Sequence, residues 1–196
     1  MYGSPVSLIL GFHGCDAPVG EKILSGKAEL AASDNVYDWL GHGRYFWENN
    51  PNRAFEYARE IQKRPRGGKQ AIREPFVLGA VIDPGHCLNL MESSALAALG
   101  KSYRLLQMLF EQQGKNLPEN RPDPDTGDLL YRPLDCAVIE MLHAINATEK
   151  CPAYDTVRGI FIEGEEVYPG AGFRKKNHVQ ICVRNPECIK GYFRVR

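Results

Sequence analysis

The chain has 196 residues and carries 24 basic and 24 acidic side chains, so its formal net charge at neutral pH is zero. With 43% hydrophobic residues it can bury a full core, and its size suits one folded domain rather than a disordered chain. Neutrality argues against an extended nucleic-acid surface but permits a local basic patch. No apolar run of the sequence approaches the roughly 20 residues that cross a bilayer, so we expect no membrane insertion.

Two further features concern the compartment and metals. The first residues, Met-Tyr-Gly-Ser-Pro, lack the basic and apolar regions of a secretory signal, which predicts a cytoplasmic protein. The six cysteines are widely spaced and include no CxxC pair, which favours reduced thiols. A metal site made of His178, Cys182 and Cys188 would match no common zinc spacing, so we predict that no metal is bound.

The hydrophobic pattern predicts a mixed α and β chain with strands near both ends. Short apolar runs between Gly and Pro turns are typical of strands, and apolar residues at three- and four-residue steps are typical of helices. We predict strands at 6–13, 44–47, 76–82, 156–162, 178–184 and 191–196. We predict helices between Asp16 and Gly26, from Pro51 past Ile61, from Ser93 or Ser94 to about Gln113, and near 134–146.

Two of these helices have a predicted apolar side, and two segments are predicted loops. The apolar side of the second helix carries Ala54, Phe55, Ala58 and Ile61. The steps in the third helix are set by Leu96, Leu99, Tyr103, Leu106 and Phe110. Residues 64–69 form a predicted basic loop, and residues 114–132 are rich in Pro, Asp, Asn and Gly. A long loop of that kind is often functional.

Several short motifs occur in an order that matches a known enzyme family. They are His13-Gly14, the run Gly-His-Gly-Arg-Tyr-Phe at 41–46, Tyr-Asp-Thr-Val at 154–157, Val-Tyr-Pro-Gly-Ala-Gly at 167–172, the strand 178–183 and Gly-Tyr-Phe at 191–193. The set resembles the catalytic domain of PARP and diphtheria-toxin-like ADP-ribosyltransferases. Those chains carry a His-Gly strand, Gly-x-Gly-Ile-Tyr-Phe, Asp-Ser-Val, Pro-Leu-Gly-x-Gly and a Glu-bearing strand before a Tyr-Leu strand.

The resemblance runs from about residue 6 to the end and is weakest over 86–153. It implies an α+β fold, with a single ADP-ribosyltransferase-like domain over 1–196. In that domain a split β-sheet with flanking helices would grip NAD in an open cleft.

The resemblance also implies roles for four residues in binding NAD. His13 would hold the adenine-side ribose, since histidine offers a donor and an acceptor to a hydroxyl. The backbone of Gly14 would hold the nicotinamide amide, which a Cβ would obstruct. Tyr45 would stack on the cationic nicotinamide ring, an attraction of about 0.5 to 2 kcal/mol. Tyr57, one residue away from the family position, is the candidate for a second stacking partner.

At the strand 178–183 the sequence departs from the family. Alternation puts Val179, Ile181 and Val183 on the core face, and His178, Gln180 and Cys182 on the cleft face. Gln180 therefore takes the place of the family's catalytic glutamate. A glutamine keeps the hydrogen bond to the ribose but carries no charge and cannot act as a general base. The resemblance then implies transfer of a single ADP-ribose unit rather than chain elongation.

A catalytic carboxylate would have to come from elsewhere in the chain. The nearest in sequence are Glu163, Glu165 and Glu166, just ahead of the strand, and we expect Glu163 to be the best placed because it follows the preceding strand directly. Glu48, just past Tyr45, is a second candidate.

Each of these residues also has an ordinary structural interpretation. His13 could be a common strand-end histidine, and residues 45–47 a core aromatic strand in which Phe46 is buried while its neighbours face the cleft. The acidic run 163–166 is usually a solvated turn, as is the basic run 174–176, although the latter could guide an anionic substrate. Asp155 and Thr156 could cap a turn.

These observations predict an NAD-dependent mono-ADP-ribosyltransferase that consumes NAD and modifies a macromolecular acceptor, either protein or nucleic acid. By analogy with small members of the superfamily, we expect a bacterial toxin or defence effector, for which a neutralising antitoxin protein would be a partner. Two alternatives remain. One is an NAD or ADP-ribose binding module without catalysis, and the other is an RNA 2′-phosphotransferase-like enzyme, for whose phosphate the sequence shows no clear pair of arginines.

Overall fold

The fold was obtained as a computed structural model, which describes residues 8–63 and 71–196. The described residues form an open seven-stranded sheet flanked by four helices. The strands are β1 (Ile9–Asp16), β2 (Arg44–Glu48), β3 (Pro75–Ile82), β4 (Cys87–Asn89), β5 (Thr156–Phe161), β6 (His178–Val183) and β7 (Ile189–Arg194). The helices are α1 (Ala17–Leu24), α2 (Pro51–Lys63), α3 (Ser93–Gln112) and α4 (Pro133–Thr148).

The strand order in the sheet is β4-β5-β6-β2-β1-β3-β7. Strands β4 and β5 are parallel, and the other neighbouring pairs are antiparallel. The mixed α and β class and all six predicted strands are confirmed, with ends displaced by up to three residues. The predicted loop at 64–69 and the first two residues of the predicted strand 6–13 lie outside the described residues.

Strand β4 was not predicted from the sequence. It has three residues and follows the turn at Asp83-Pro84-Gly85, so it carries too little periodicity to be recognised. It joins the sheet because Cys87 to Asn89 pair in parallel with Thr156 to Arg158 of β5.

The predicted apolar sides of α2 and α3 are only partly correct. In α2, Ala54, Ala58 and Ile61 are buried, but Phe55 is 41% exposed. The small alanines let the backbone of α2 lie close to the sheet, and Phe55, which follows Ala54, points away from it.

In α3 the buried residues are Ala95, Ser102 and Leu106, whereas Leu96 and Tyr103 are exposed. Helix α3 packs on α4 through small residues, and the Ser102 hydroxyl donates to the carbonyl oxygen of Val138 at 2.8 Å.

The core divides between the two faces of the sheet. One cluster lies on the side of α1 and contains Phe46 of β2 paired with Ile181 of β6. The next pair along these strands, Tyr45 and Cys182, belongs to a second cluster with residues of α4. Because successive side chains in a strand point to opposite faces, Phe46 lies in the first core and its neighbours on the other face, as predicted.

Strands β1 and β2 are neighbours in the sheet but pair over a short stretch. Strand β1 pairs with β3 over its whole length, from Ile9 to Asp16. Its pairing with β2 covers only Gly11 and Phe12. From His13 onward no pairing between the two strands is found among the described residues, and His13 and Tyr45 both line the candidate site.

Two general findings concern the rest of the described chain. None of its helices has the length and apolar composition needed to span a bilayer. Its six cysteines are free thiols.

Candidate functional site

A cavity of about 640 Å³ lies beside the strands β1, β2 and β6. Its wall is formed by β1, β2, β6 and α2, by the segment before β2, by the loop 114–132 and by the turn that follows β5. The five side chains that the sequence assigned to the site all reach this wall: His13, Tyr45, Tyr57, Glu163 and Gln180. They are distant in sequence, so the fold brings them together.

His13 is the first residue of β1 past its pairing with β2. Its Nδ1 lies 2.8 Å from the carbonyl oxygen of Tyr45. A carbonyl oxygen can only accept, so Nδ1 carries the hydrogen and donates it. The imidazole ring also contacts Phe46 edge to face, with centroids 5.9 Å apart. These contacts fix the ring at the cavity wall.

Tyr45 presents its ring to the cavity while its hydroxyl is held by the backbone. The hydroxyl donates to the carbonyl oxygen of Gly41 at 2.6 Å and accepts from the amide of Leu40 at 2.9 Å. Burial raises the pKa of this hydroxyl, so it stays protonated. The phenol is therefore a positioned surface for stacking and not an acid or base.

The Gly-x-Gly sequence before Tyr45 is explained by this arrangement. Gly41 has a φ of +75°, which favours glycine, and its carbonyl receives the tyrosine hydroxyl. A Cβ on Gly43 would lie 2.5 Å from the sulfur of Cys182. Cys182 is thus fully buried beneath this segment and does not reach the cavity, contrary to the prediction from alternation.

Tyr57 lies on the cavity side of α2. Its ring contacts Trp47 of β2, with centroids 4.8 Å apart and planes inclined by 44°. Trp47 itself lines the cavity, as alternation along β2 predicts. The two rings form an aromatic wall opposite the loop 114–132.

Gln180 lies in β6 between Trp47 of β2 and Gly159 of β5. It is only 7% exposed, and it faces the cavity beside His178, as predicted. Among the described residues no hydrogen bond to its side-chain amide is found. A buried amide normally has partners, so one inside a cavity is well placed to bind a polar ligand.

Glu163 follows β5 and is buried, with 3% of its surface exposed. Its Oε2 lies 3.7 Å from Nη2 of Arg53. Burial raises the pKa of this carboxyl to about 7, while the charge of Arg53 lowers it. The interpretation as a solvated turn is wrong for Glu163.

The other acidic candidates lie outside the cavity. The side chain of Glu165 is 83% exposed and pairs with Lys175, and Glu166 pairs with Arg174 across a solvated turn. Glu48 is bound by Arg158, whose Nη2 donates to Oε1 at 2.8 Å. Glu48 does not line the cavity, since alternation along β2 puts it on the face opposite to Tyr45 and Trp47.

His178 is enclosed by aromatic rings at the cavity wall. Its Nδ1 donates to the carbonyl oxygen of Lys176 at 2.7 Å, and Phe161 stacks on it at 5.6 Å. Burial lowers the pKa of the imidazole to about 4, so it is neutral at physiological pH.

Gly14 does not line the cavity, although it follows His13. A Cβ at this position would lie 2.2 Å from the carbonyl oxygen of Ala54. The structure thus gives a packing reason for this glycine: it lets α2 approach β1. Gly14 lies past the end of the β1–β2 pairing, and a role of its backbone in binding an amide stays a prediction.

Sequence reasoning missed two parts of the wall. Arg53 is a buried cation, 5.9 Å from the Trp47 ring, and its spacing from Tyr57 and Glu60 could have revealed it, since residues 53, 57 and 60 share one helix face. Asp128 joins the loop 114–132 to the turn after β5 by accepting from the amide of Gly164 at 2.9 Å. No local pattern signals that contact.

Other predicted motifs have structural roles. Asp155 accepts from the amide of His86, and Thr156 donates to the carbonyl oxygen of Pro84, so both fix the connection into β5. In the basic run, Lys176 reaches the cavity wall and pairs with Glu60 at 2.8 Å.

Two findings concern metal binding by this chain and its similarity to known proteins. The described residues contain no group of three or more His, Cys, Asp or Glu side chains able to hold a metal ion. Comparisons with protein-family models, curated proteins and solved structures found no match. Function is therefore argued from the residues and the geometry of the cavity.

Proposed function

We propose that this protein is an NAD-dependent mono-ADP-ribosyltransferase with an ADP-ribosyltransferase-like fold. The observation that carries the proposal is the convergence of His13, Tyr45 and Gln180, from three neighbouring strands, on one cavity. These are the residues that the resemblance assigns to the ribose, the nicotinamide ring and the position of the catalytic glutamate.

The cavity offers chemically suitable contacts for NAD. The held ring of Tyr45 gives the cationic nicotinamide a stacking surface, and its attraction falls when nicotinamide leaves as a neutral molecule. His13 can hydrogen-bond a ribose hydroxyl. The proposed function also assigns the nicotinamide amide to the backbone of Gly14, which follows His13 but does not line the cavity.

In this proposal Gln180 orients the reacting ribose. Its amide would bind the 2′-hydroxyl of the nicotinamide ribose. When the bond between C1′ and nicotinamide breaks, its electron pair leaves with nicotinamide and positive charge develops on the ribose. Because glutamine cannot act as a base, Glu163 is the cavity carboxylate proposed for proton transfer in the reaction.

The proposal is tested by incubating the protein with NAD labelled on the adenylate and separate pools of RNA, DNA and cell protein. We expect nicotinamide release and label on one pool, with a single ADP-ribose per modified site. Glu165→Gln, a change on an exposed residue outside the cavity, is the matched control. The absence of both nicotinamide release and label transfer would contradict the proposal.

A second candidate is an NAD-binding module without catalysis, favoured by the uncharged Gln180 and by a carboxyl at Glu163 that is half protonated near neutral pH. Calorimetry would then detect NAD binding while nicotinamide release stayed at the uncatalysed rate. A 2′-phosphotransferase is less well supported, because among described residues of the cavity wall Arg53 is the one arginine, and Glu60 and Glu163 already engage it.

A further inference from the structure

One region of the cavity wall holds an unusual number of buried polar atoms without partners. Six buried side-chain atoms of the described chain accept or donate no hydrogen bond, and four belong to residues of this wall. They are Nε1 of Trp47, Nε of Arg53, Oε1 of Glu163 and Nε2 of His178. All four residues are more than nine-tenths buried.

Such atoms are costly unless something in the cavity pairs with them. A buried polar atom without a partner typically costs about 1 to 3 kcal/mol. Since most buried polar groups in proteins are satisfied, a cluster of exceptions needs an explanation, and one is a site that a ligand completes.

Glu163 is the anionic member of this cluster, and only one of its oxygens is engaged. Oε2 faces Arg53 at 3.7 Å, and Arg53 is held in turn by Glu60 at 3.4 Å and by the Trp47 ring. The guanidinium fixes the orientation of the carboxylate, and Oε1 is left as an acceptor. The charged groups around Glu163 come from three segments: Arg53 from α2, Asp128 and Arg132 from the loop 114–132, and Lys176 from the segment before β6.

His178 supplies a second acceptor on the same wall. Since its Nδ1 donates to Lys176 and the ring is neutral, Nε2 has a lone pair and no hydrogen. A group that pairs with both of these atoms must therefore donate hydrogen, and one that also pairs with Nε1 of Trp47 and Nε of Arg53 must accept as well, as a hydroxyl can.

We propose that this region is the subsite for the acceptor of ADP-ribose, that the acceptor reacts through a hydroxyl or N–H group, and that Glu163 takes its proton. The inference rests on the proposed function and names the substrate class of the same site. A carboxylate acceptor is disfavoured, because at neutral pH it has no hydrogen to donate to Oε1 of Glu163 or to Nε2 of His178.

The step balances without any further reactant. The oxygen or nitrogen of the acceptor forms a bond to C1′ of the ribose, the bond from C1′ to nicotinamide breaks, and its electron pair leaves with nicotinamide. The acceptor proton moves to Oε1 of Glu163 and then to water. A base with a pKa near the working pH is well suited to this task, and burial gives Glu163 a pKa of about 7.

The same geometry argues against Glu163 as the stabiliser of the cationic ribose. Arg53, 3.7 Å from its Oε2, offsets the negative charge that a cation would need. A carboxyl half protonated at neutral pH is also a weak fixed charge but a serviceable proton acceptor.

The test uses the full chain with adenylate-labelled NAD and the protein and RNA pools as alternative acceptors. Transfer and nicotinamide release are measured from pH 5 to pH 9 for the wild type, for Glu163→Gln and for the control Glu165→Gln. We expect wild-type transfer to rise with pH through about 7. Glu163→Gln should transfer ADP-ribose about a hundredfold more slowly, and its transfer should lack the rise with pH seen in the wild type. Its release of nicotinamide in the absence of an acceptor should fall by a smaller factor. Glu165→Gln should match the wild type.

A second measurement needs no variant. Mass spectrometry of the acceptor modified by the wild type should place ADP-ribose on an oxygen or nitrogen that carried a hydrogen, and not on an aspartate or glutamate carboxylate. Modification of a carboxylate, or Glu163→Gln transferring at the wild-type rate, would overturn this inference alone. If the wild type releases no nicotinamide, the proposed function fails and the inference falls with it.

Discussion

The Nδ1 of His13 lies 2.8 Å from the carbonyl oxygen of Tyr45, one residue past the end of the β1–β2 pairing. A side chain thus bridges the strands where their backbone hydrogen bonds stop. The contact links the histidine to the backbone of the very tyrosine whose ring forms the stacking surface. Two of the proposed NAD-binding groups are therefore held in one local arrangement.

His13→Ala should weaken NAD binding because it removes a proposed hydrogen bond to the ribose. The loss is expected to be about 1 kcal/mol, and up to about 3 kcal/mol if a buried partner is left unsatisfied. Calorimetric titration with NAD measures it. His86→Ala, which changes a histidine outside the cavity, is the control, and equal affinity in the two variants would remove His13 from the site.

Tyr45→Phe should separate the two functions of this residue. The variant keeps the ring, so NAD affinity should change little, but it leaves Leu40 N–H and the Gly41 carbonyl without their partner. We expect a loss of about 1 to 3 kcal/mol in the free energy of unfolding, measured by denaturant titration. Tyr45→Ala should lower both NAD affinity and stability. A Tyr45→Phe protein of unchanged stability would contradict the hydroxyl's structural role.

Gly14→Ala tests whether this glycine is needed for packing. The added methyl group would meet the carbonyl oxygen of Ala54 at 2.2 Å, so α2 must move away from β1. The expected loss is about 1 to 3 kcal/mol in the free energy of unfolding. Gly191→Ala in β7 is the matched control, since no atom lies within 4 Å of the added methyl, and similar losses in both would contradict the packing explanation.

The pH dependence of stability tests the burial of Glu163. Its carboxyl binds a proton more tightly in the folded state, with a pKa of about 7 against the usual 4.5. Relative to Glu163→Gln, the wild type should therefore lose stability as pH rises from about 4.5 to about 7, by about 3 kcal/mol in total.

His178 has the opposite sign, because its lowered pKa reduces stability as pH falls from about 6.5 to about 4. Both the wild type and Glu163→Gln contain His178, so its contribution cancels in the difference between their free energies of unfolding. Thermal or denaturant unfolding at several pH values measures that difference. A constant difference across this range would show that Glu163 is not buried as described.

Local patterns were sufficient for six of the seven strands of the described chain and for the direction of several side chains. Alternation along β2 placed Phe46 in the core and Tyr45 and Trp47 in the cavity, and alternation along β6 did the same for His178 and Gln180. These predictions succeed because one face of each strand is buried, which fixes the register.

Contacts between distant segments were not predictable in this way. Arg53 near Glu163, Asp128 on Gly164 and the burial of Cys182 beneath Gly43 depend on how loops close over the sheet. The role of Gly14 was also missed, because its sequence context is the same whether a ligand or a helix backbone approaches it.

Nicotinamide release by the wild type, Gln180→Ala and Gln180→Glu tests directly whether Gln180 orients NAD for cleavage. We predict release well above the uncatalysed rate in the wild type, and a loss of about a hundredfold in Gln180→Ala with little change in NAD affinity. Gln180→Glu should retain or raise release by adding negative charge near the developing cation. A Gln180→Ala protein as active as the wild type would contradict the account, because Gln180 would then have no part in the reaction.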